Sequence, residues 1–169
     1  MRLKYNPHWL FIVVASFILS GCGETPEELQ LAQHAMAIER SDECHLCGMI
    51  INGFSGPKGQ LYKRGSDQNM TFCSTRDMFA YLLDPEHQHA IQTVYVHDMA
   101  KGLWDTPDDE FFIDARTAWY VAGHERKGAM GPTLASFSDK NIALSFAEQY
   151  GGKVVQFKDI TQSLLLQIK

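Results

Sequence analysis

The chain offers no apolar run long enough to cross a bilayer: the stretch from Trp9 through Leu19 falls well short of the roughly 20 residues a membrane helix requires. It also shows no nucleophile with an attendant base, no glycine-rich phosphate loop and no paired-carboxylate site, so hydrolytic and phosphoryl-transfer chemistry have no residues to rest on. Asp108-Asp109-Glu110 reads as a solvated acidic loop. Cations are in deficit, with 15 Lys and Arg against 20 Asp and Glu and a net charge of -5, which argues against nucleic acid and anionic lipid as partners. Cysteines number only four, too few for a disulfide-built scaffold, and a chain of this length needs none, since it buries roughly 68 to 70 per cent of its unfolded surface.

What is present begins with export. Arg2 and Lys4 precede the apolar stretch, which ends in Leu19-Ser20-Gly21-Cys22. That pattern is a signal peptide over residues 1–21, and its end resembles the bacterial lipoprotein processing box, with Cys22 as the lipidated first residue of the mature chain. Palmitate-type acyl chains contribute about 0.8 kcal/mol per buried methylene, so several on one cysteine make a durable anchor. Gly23 stands where an aspartate would argue for retention at the inner membrane, which favours the periplasmic face of the outer membrane. Removal of Arg2 and Lys4 makes the mature protein more acidic still.

Residues 22–42 read as a lipidated tether with a marginal helix marked by Leu29, Ala32 and Met36. From residue 43 short apolar runs alternate with glycine-rich turns. Leu61-Tyr62 and Met70-Thr71-Phe72 read as strands, Ser74 or Thr75 caps a helix to about Leu83, and a strand follows over Ala90 to Val96. Strands are then expected at Glu110 to Asp114, Ala118 to Ala122 and Leu134 to Phe137, a helix capped by Ser138 or Asp139 to Tyr150, a glycine stop at Gly151-Gly152, and a closing strand from Val154 to Phe157. Phe72 to Tyr81 and Phe137 to Phe146 share one aromatic, cap, helix order. The reading is an α+β domain over 43–169, built from two packed ββαβ units (43–100 and 101–169) of mostly antiparallel strands.

The sulfur donors are concentrated. Cys44-His45-Leu46-Cys47-Gly48-Met49 places two thiols, an imidazole and a thioether within six residues. Two residues between thiols let a tight turn aim both at one point, and a thioether beside a thiolate suits Cu+ over hard cations. Cys73 opens the first helix, whose N-terminal dipole favours a thiolate, so Cys44, Cys47 and Cys73 are expected to converge. Three cysteines besides Cys22 are an odd number for an oxidising compartment; either a metal holds them, or Cys44 and Cys47 pair and Cys73 is buried. Met130 lies in Lys127-Gly-Ala-Met-Gly-Pro132 with no period to bury it, which makes it a ligand candidate, whereas Met70, Met78 and Met99 read as packing. Among the histidines, His87 and His89 belong to a surface loop and His97 to a strand end; His124, six residues before Met130, is placed to complete or gate a metal site.

Cys-His-Leu-Cys-Gly-Met followed by Met-Thr-Phe-Cys-Ser-Thr-Arg-Asp is similar to the small heavy-metal knuckle of the TRASH and YHS type, with Asp77 in place of the last cysteine, a departure from a closed four-thiolate zinc site. Over nearly the whole mature chain the closer resemblance is to the NosL family of periplasmic lipoproteins that accompany nitrous oxide reductase. It rests on the lipobox, Cys47-Gly48-Met49, Phe72 to Tyr81, Gly128-Ala-Met-Gly-Pro132 and Phe146 to Gly152. The resemblance implies a monomeric or weakly associated Cu+ chaperone with a fold similar to an organomercurial lyase domain. It further implies copper delivery to nitrous oxide reductase, with an ABC-type membrane complex as docking partner. The ligands it implies are Cys47, Met49 and Met130, with Cys44 and His45 as secondary candidates, to which the reading of the residues themselves adds Cys73 and His124. Two rivals stand beside it: a thiol-disulfide oxidoreductase using Cys44 and Cys47, and an interaction module built on a zinc (Zn2+) knuckle. The oxidoreductase lacks its usual strand-to-helix context, because Gly48 to Lys58 is rich in glycine and contains a proline.

Overall fold

A computed structural model describes residues 33–169. The signal segment, Cys22 and residues 22–32 of the tether lie outside the described residues. A first unit consists of β1 (Gly59–Lys63), β2 (Asn69–Phe72), α1 (Thr75–Leu82) and β3 (Ile91–His97), followed by β4 (Phe112–Asp114). A second consists of β5 (Trp119–Gly128), β6 (Gly131–Phe137), α2 (Lys140–Tyr150) and β7 (Lys153–Gln156), and α3 (Gln162–Gln167) comes last. The sheets run β2-β1-β3-β4 and β6-β5-β7, with every pairing antiparallel. In each, the first strand of the unit lies centrally between the second strand and the strand that follows the helix, so one ββαβ topology occurs twice. β4 pairs with β3 and belongs to the first sheet.

Local chemistry accounts for the elements. Ser74 caps α1 by accepting from the Asp77 N–H at 3.1 Å, and Met78, Phe79 and Leu82 form its buried face. Asp139 caps α2 through the N–H groups of Asn141 and Ile142, and Gly151, at φ 75°, stops it as a residue with a Cβ rarely does. One core joins both units: Leu61, Phe72, Met78, Phe79 and Val94 from the first pack with Tyr120, Leu134 and Val155 from the second and with Leu165 and Ile168 at the C-terminus. A smaller cluster under α2 gathers Trp104, Val121, Ala135, Phe137 and Ala143.

Several segments differ from their sequence-based expectation. Residues 33–38 form no helix. They cross the face of the first sheet opposite α1, and the side chains of that face satisfy their backbone. Gln60 accepts from the Met36 N–H at 2.9 Å and donates back to the Met36 carbonyl at 2.6 Å. Tyr62 donates to the His34 carbonyl, Tyr95 to the Gln33 carbonyl, and Asp109 accepts from the Ile38 N–H. This strap is why Gln60 and Tyr62 are buried although they alternate with the core-facing Leu61. Asp109–Phe111 is a 3-10 turn capped by Asp108, which leaves only Phe112–Asp114 as strand. β5 continues past Ala122 to Gly128, with its pairing interrupted between Ala122 and Lys127, so the segment read as a loop around Met130 is the turn of a long hairpin. Phe157 opens a 3-10 turn and packs on Phe79, and the short α3, capped by Thr161, carried too little apolar period to be anticipated.

Gly59 is where β1 lies closest to α1: a Cβ there would stand 2.9 Å from the Met78 Cβ. Gly59→Val is therefore expected to lower unfolding free energy by about 1–3 kcal/mol through overpacking, measured by urea denaturation. An unchanged midpoint would contradict the close strand-to-helix approach.

Candidate metal centre

The thiol-bearing turn is closed by its own backbone. The Ile51 N–H reaches the Asp42 carbonyl at 2.9 Å, Cys44 N–H the Met49 carbonyl at 2.8 Å, and Gly48 N–H the Cys44 carbonyl at 2.8 Å. Gly48, at φ 72°, supplies the left-handed step between Cys47 and Met49. The turn is docked onto the sheet by the His45 N–H, which donates to Thr71 of β2 at 2.8 Å. Two residues after Thr71 comes Cys73, at the corner where β2 gives way to α1, and four residues further Asp77 occupies the first helical turn. Cys73 and Asp77 therefore point the same way, as i and i+4 positions do.

These two elements bring four ligand atoms together. The Sγ atoms of Cys44, Cys47 and Cys73 and a carboxylate oxygen of Asp77 all lie within 4.8 Å of one another. The Cys47 and Cys73 sulfurs are 3.7 Å apart, and Asp77 Oδ2 is 3.4 Å from the Cys73 sulfur and 3.9 Å from that of Cys44. A tetrahedral centre with metal–sulfur bonds of about 2.3 Å has S···S edges of about 3.8 Å, so the spacing suits a small metal ion. All three thiols are free. Cys44 and Cys73 are buried, Asp77 is half-buried, and Cys47 faces solvent.

The electrostatics separate the thiols. The Cys73 thiol beside it holds Cys44 far below the ordinary range, to about 4, while the same pairing and burial drive Cys73 upward. Desolvation raises Cys47 and also raises Asp77. Among the thiols the metal-free cluster thus concentrates its negative charge on Cys44 and keeps protons on Cys47 and Cys73; a metal ion must displace those protons, so affinity falls with acid.

Of the remaining candidates, Met49 lies half-buried in the thiol turn itself. Met130 occupies the β5–β6 hairpin turn and is 46% exposed, beside Ala129, which packs on the core cluster containing Cys44 and Cys73. The same hairpin abuts the start of α1, where the Thr75 and Thr133 hydroxyls are 2.9 Å apart. The two histidines stand outside the four-ligand group. His45 presents its ring edge to Phe72 and Tyr81. His124 is buried with its ring perpendicular to those of Trp104 and Phe146, which belong to the smaller cluster or pack against it, and neither ring nitrogen has a hydrogen-bond partner. Asp77 appeared in the sequence only as the residue replacing a fourth cysteine; its knuckle position was the available signal that it stands at the fourth corner. A cavity of about 190 Å³ lies nearby, lined by Ile38, Ile51, Lys58, His97 and Asp109 among others. Three of its lining residues are bonded to one another: His97 accepts from the Lys58 N–H at 3.1 Å and meets Asp109 at 3.0 Å.

The model of the NosL family matches residues 35–165. The chain belongs to the NosL family. Two NosL relatives are described as copper-binding lipoproteins. One, from Stutzerimonas stutzeri, is 47% identical over 157 residues, covering 92% of this chain and 80% of the relative. The other, from Achromobacter cycloclastes, is 34% identical over 169 residues, covering 97% and 85%. The crystal structure of the copper chaperone NosL from Shewanella denitrificans superposes with a TM-score of 0.77 at 53% identity, over 78% of this chain and 98% of that one. These NosL proteins are named for binding and carrying copper, not for a catalysed reaction.

Burial holds the His124 imidazole at about 4, well below its ordinary 6.5. A histidine depressed in this way contributes its full stability above pH 6.5 and loses it as the pH falls towards 4. At 1.36 kcal/mol per pH unit, this group alone should cost the fold about 3 kcal/mol between those limits. Urea denaturation at a series of pH values should show that decline, and His124→Leu should flatten it; an equally steep decline in the variant would place the acid sensitivity elsewhere.

Proposed function

We propose that this chain is a lipid-anchored copper chaperone of the periplasmic face, which binds one Cu+ through Cys47 with Met49 and Met130 as thioether donors. It would deliver that ion for assembly of the copper centre of nitrous oxide reductase, docking on an ABC-type membrane complex. The observation that carries the reading is the convergence of three free thiols on one solvent-facing point, Cys47, in a chain of the NosL family. Soft sulfur selects a soft monovalent ion. Cys44 and Cys73, buried behind Cys47, keep the inner wall of the site rich in sulfur, while exposure of Cys47 leaves a side from which an acceptor ligand can attack before the old bonds break. Transfer then proceeds by ligand exchange without free ion. Met49 and Met130 come from different halves of the fold, so a partner that parts the thiol turn from the β5–β6 hairpin weakens the site as it docks. The placement on a membrane rests on the signal segment and Cys22, with Gly23 favouring the outer membrane.

Asp77 favours a second reading of the same cluster. A carboxylate adds little for Cu+ but completes a tetrahedral Cys3Asp set of the kind zinc accepts. In that reading one Zn2+ is held tightly and its removal unfolds the domain. The oxidoreductase reading finds less support, because Cys44 and Cys47 lie in a hairpin turn and not at a helix N-terminus.

An air-free Cu+ titration against a competing chelator should reveal one high-affinity site in the parent, lost in Cys47→Ser and weakened roughly tenfold or more in Met49→Leu and Met130→Leu. Metal analysis of the purified protein distinguishes the readings: a tightly held zinc with no Cu+ retention overturns the copper assignment, and catalytic insulin reduction without metal points to the oxidoreductase. Cys22→Ser should move the protein from the membrane to the soluble periplasmic fraction; a variant still bound to membranes would contradict the lipid anchor.

A further inference from the structure

Lys58, directly before β1, carries a buried ammonium. The residue is 4% exposed, and its Nζ donates to three successive carbonyls, those of Phe54 at 2.6 Å, Ser55 at 3.1 Å and Gly56 at 2.6 Å. Its backbone is fixed as firmly: the N–H donates to His97 Nδ1, and the carbonyl accepts from the His97 N–H at 3.2 Å. Among the described residues the ion pairs are His97 with Asp109 and Arg126 with Asp105, so no carboxylate pairs with this cation. Burial of an unpaired charge is costly, and it pulls the Lys58 ammonium down to about 8. Three backbone carbonyls solvate the charge but do not neutralise it.

The position of the residue suggests what does. The β1–β2 register ends with Gly59 paired to Phe72, so one step further along the two chains the Lys58 backbone comes beside that of Cys73. The neighbouring Pro57 carbonyl accepts from the Thr75 N–H at 3.2 Å, tying the same stretch to the start of α1. The carbonyls that Lys58 gathers belong to the segment joining the thiol turn, which ends at Ile51, to β1. A thiolate at Cys73, as metal binding would create, and the Asp109 carboxylate are the anions whose fields favour its charged form. Met49 and Met130 are neutral donors, so the negative charge of a loaded centre comes from its thiolates and the Asp77 carboxylate, and for any one set of these a monovalent ion leaves the centre one unit more negative than a divalent one.

We propose that Lys58 is a positioning residue of the metal centre and its built-in counter-charge, holding the 54–56 segment against the thiol turn and offsetting the negative charge that loading creates beside Cys73. The proposal rests on the copper reading above. A monovalent cargo leaves the larger excess of negative charge, so Cu+ depends on Lys58 more than Zn2+ does. A residue that merely props the loop would affect both metals alike.

The test is an air-free competition titration with Cu+, and separately with Zn2+, of the full chain and of Lys58→Met, Lys58→Gln and Lys58→Arg. Lys58→Met and Lys58→Gln should hold Cu+ about tenfold or more weakly, as expected for a lost unit charge at this range, and Zn2+ by a clearly smaller factor. Lys58→Arg, which keeps the charge, should stay within about threefold of the parent for both metals. Lys58→Gln retains N–H donors for the loop carbonyls and carries the comparison if Lys58→Met does not fold. Neutral variants that hold Cu+ as tightly as the parent, or that lose both metals by one common factor, overturn the proposal. A parent that itself fails to hold Cu+ overturns the copper reading instead, so the two failures are distinguishable.

Discussion

The corner between β2 and α1 is the constraint on which the rest of the molecule depends. Ser74 turns the chain there by capping Asp77, which sends Cys73 and Asp77 toward the same side. The next residue, Thr75, binds the Pro57 carbonyl through its N–H and the Leu134 carbonyl through its hydroxyl at 2.6 Å. One buried hydroxyl therefore fastens the first helix to a strand of the second unit, where an unsatisfied group would cost about 1–3 kcal/mol. The thiol turn then has a fixed surface to dock on, through His45 and Thr71. Without this corner the two halves of the fold and the two halves of the ligand set would have no common reference point.

The site is graded from inside outward. Cys73 and Cys44 lie in the core cluster, packed among Phe72, Met78 and Ile51, and take part in the hydrophobic burial that stabilises the first unit. Cys47 stands at the surface between exposed Leu46 and Gly48. Binding and folding are thereby coupled at the back of the centre and uncoupled at the front: the inner sulfurs cannot move without disturbing the core, whereas the outer one sits on a turn held by a few backbone hydrogen bonds. Such an arrangement suits the proposed chaperone role, in which an ion is retained and then surrendered.

Much of this was legible in the residues, and what was not has physical causes. The duplicated ββαβ order could be read because each helix is announced by a capping side chain after an aromatic residue, Phe72 before Ser74 and Phe137 before Asp139. The convergence of the cysteines followed from the knuckle spacing and the helix start. The strap at 33–38 was not legible, because its bonds run to side chains 24 to 71 positions away and leave no local period. β5 was foreshortened for a related reason: its stretch 123–127 alternates exposed and more buried positions, but the buried one is His124 and the rest are glycine or charged, so no apolar alternation shows in the sequence. His124 was a candidate because it lies six residues before Met130; the rings of Trp104 and Phe146 that pack perpendicular to it come from distant parts of the chain. Lys58 gave no signal at all, since a lysine before a strand is ordinarily solvated.

The strap also sets the reach of the protein. Gln33 is the first described residue, and it is already pinned, donating to the Lys63 and Ser66 carbonyls at 2.9 and 2.7 Å. For a chain lipidated at Cys22, as proposed above, ten residues separate the anchor from this point, and the eleven steps from Cα to Cα span at most about 40 Å whatever their conformation. The folded body is thus confined to a shallow layer over the bilayer, and any acceptor of its cargo must present its own site within that layer.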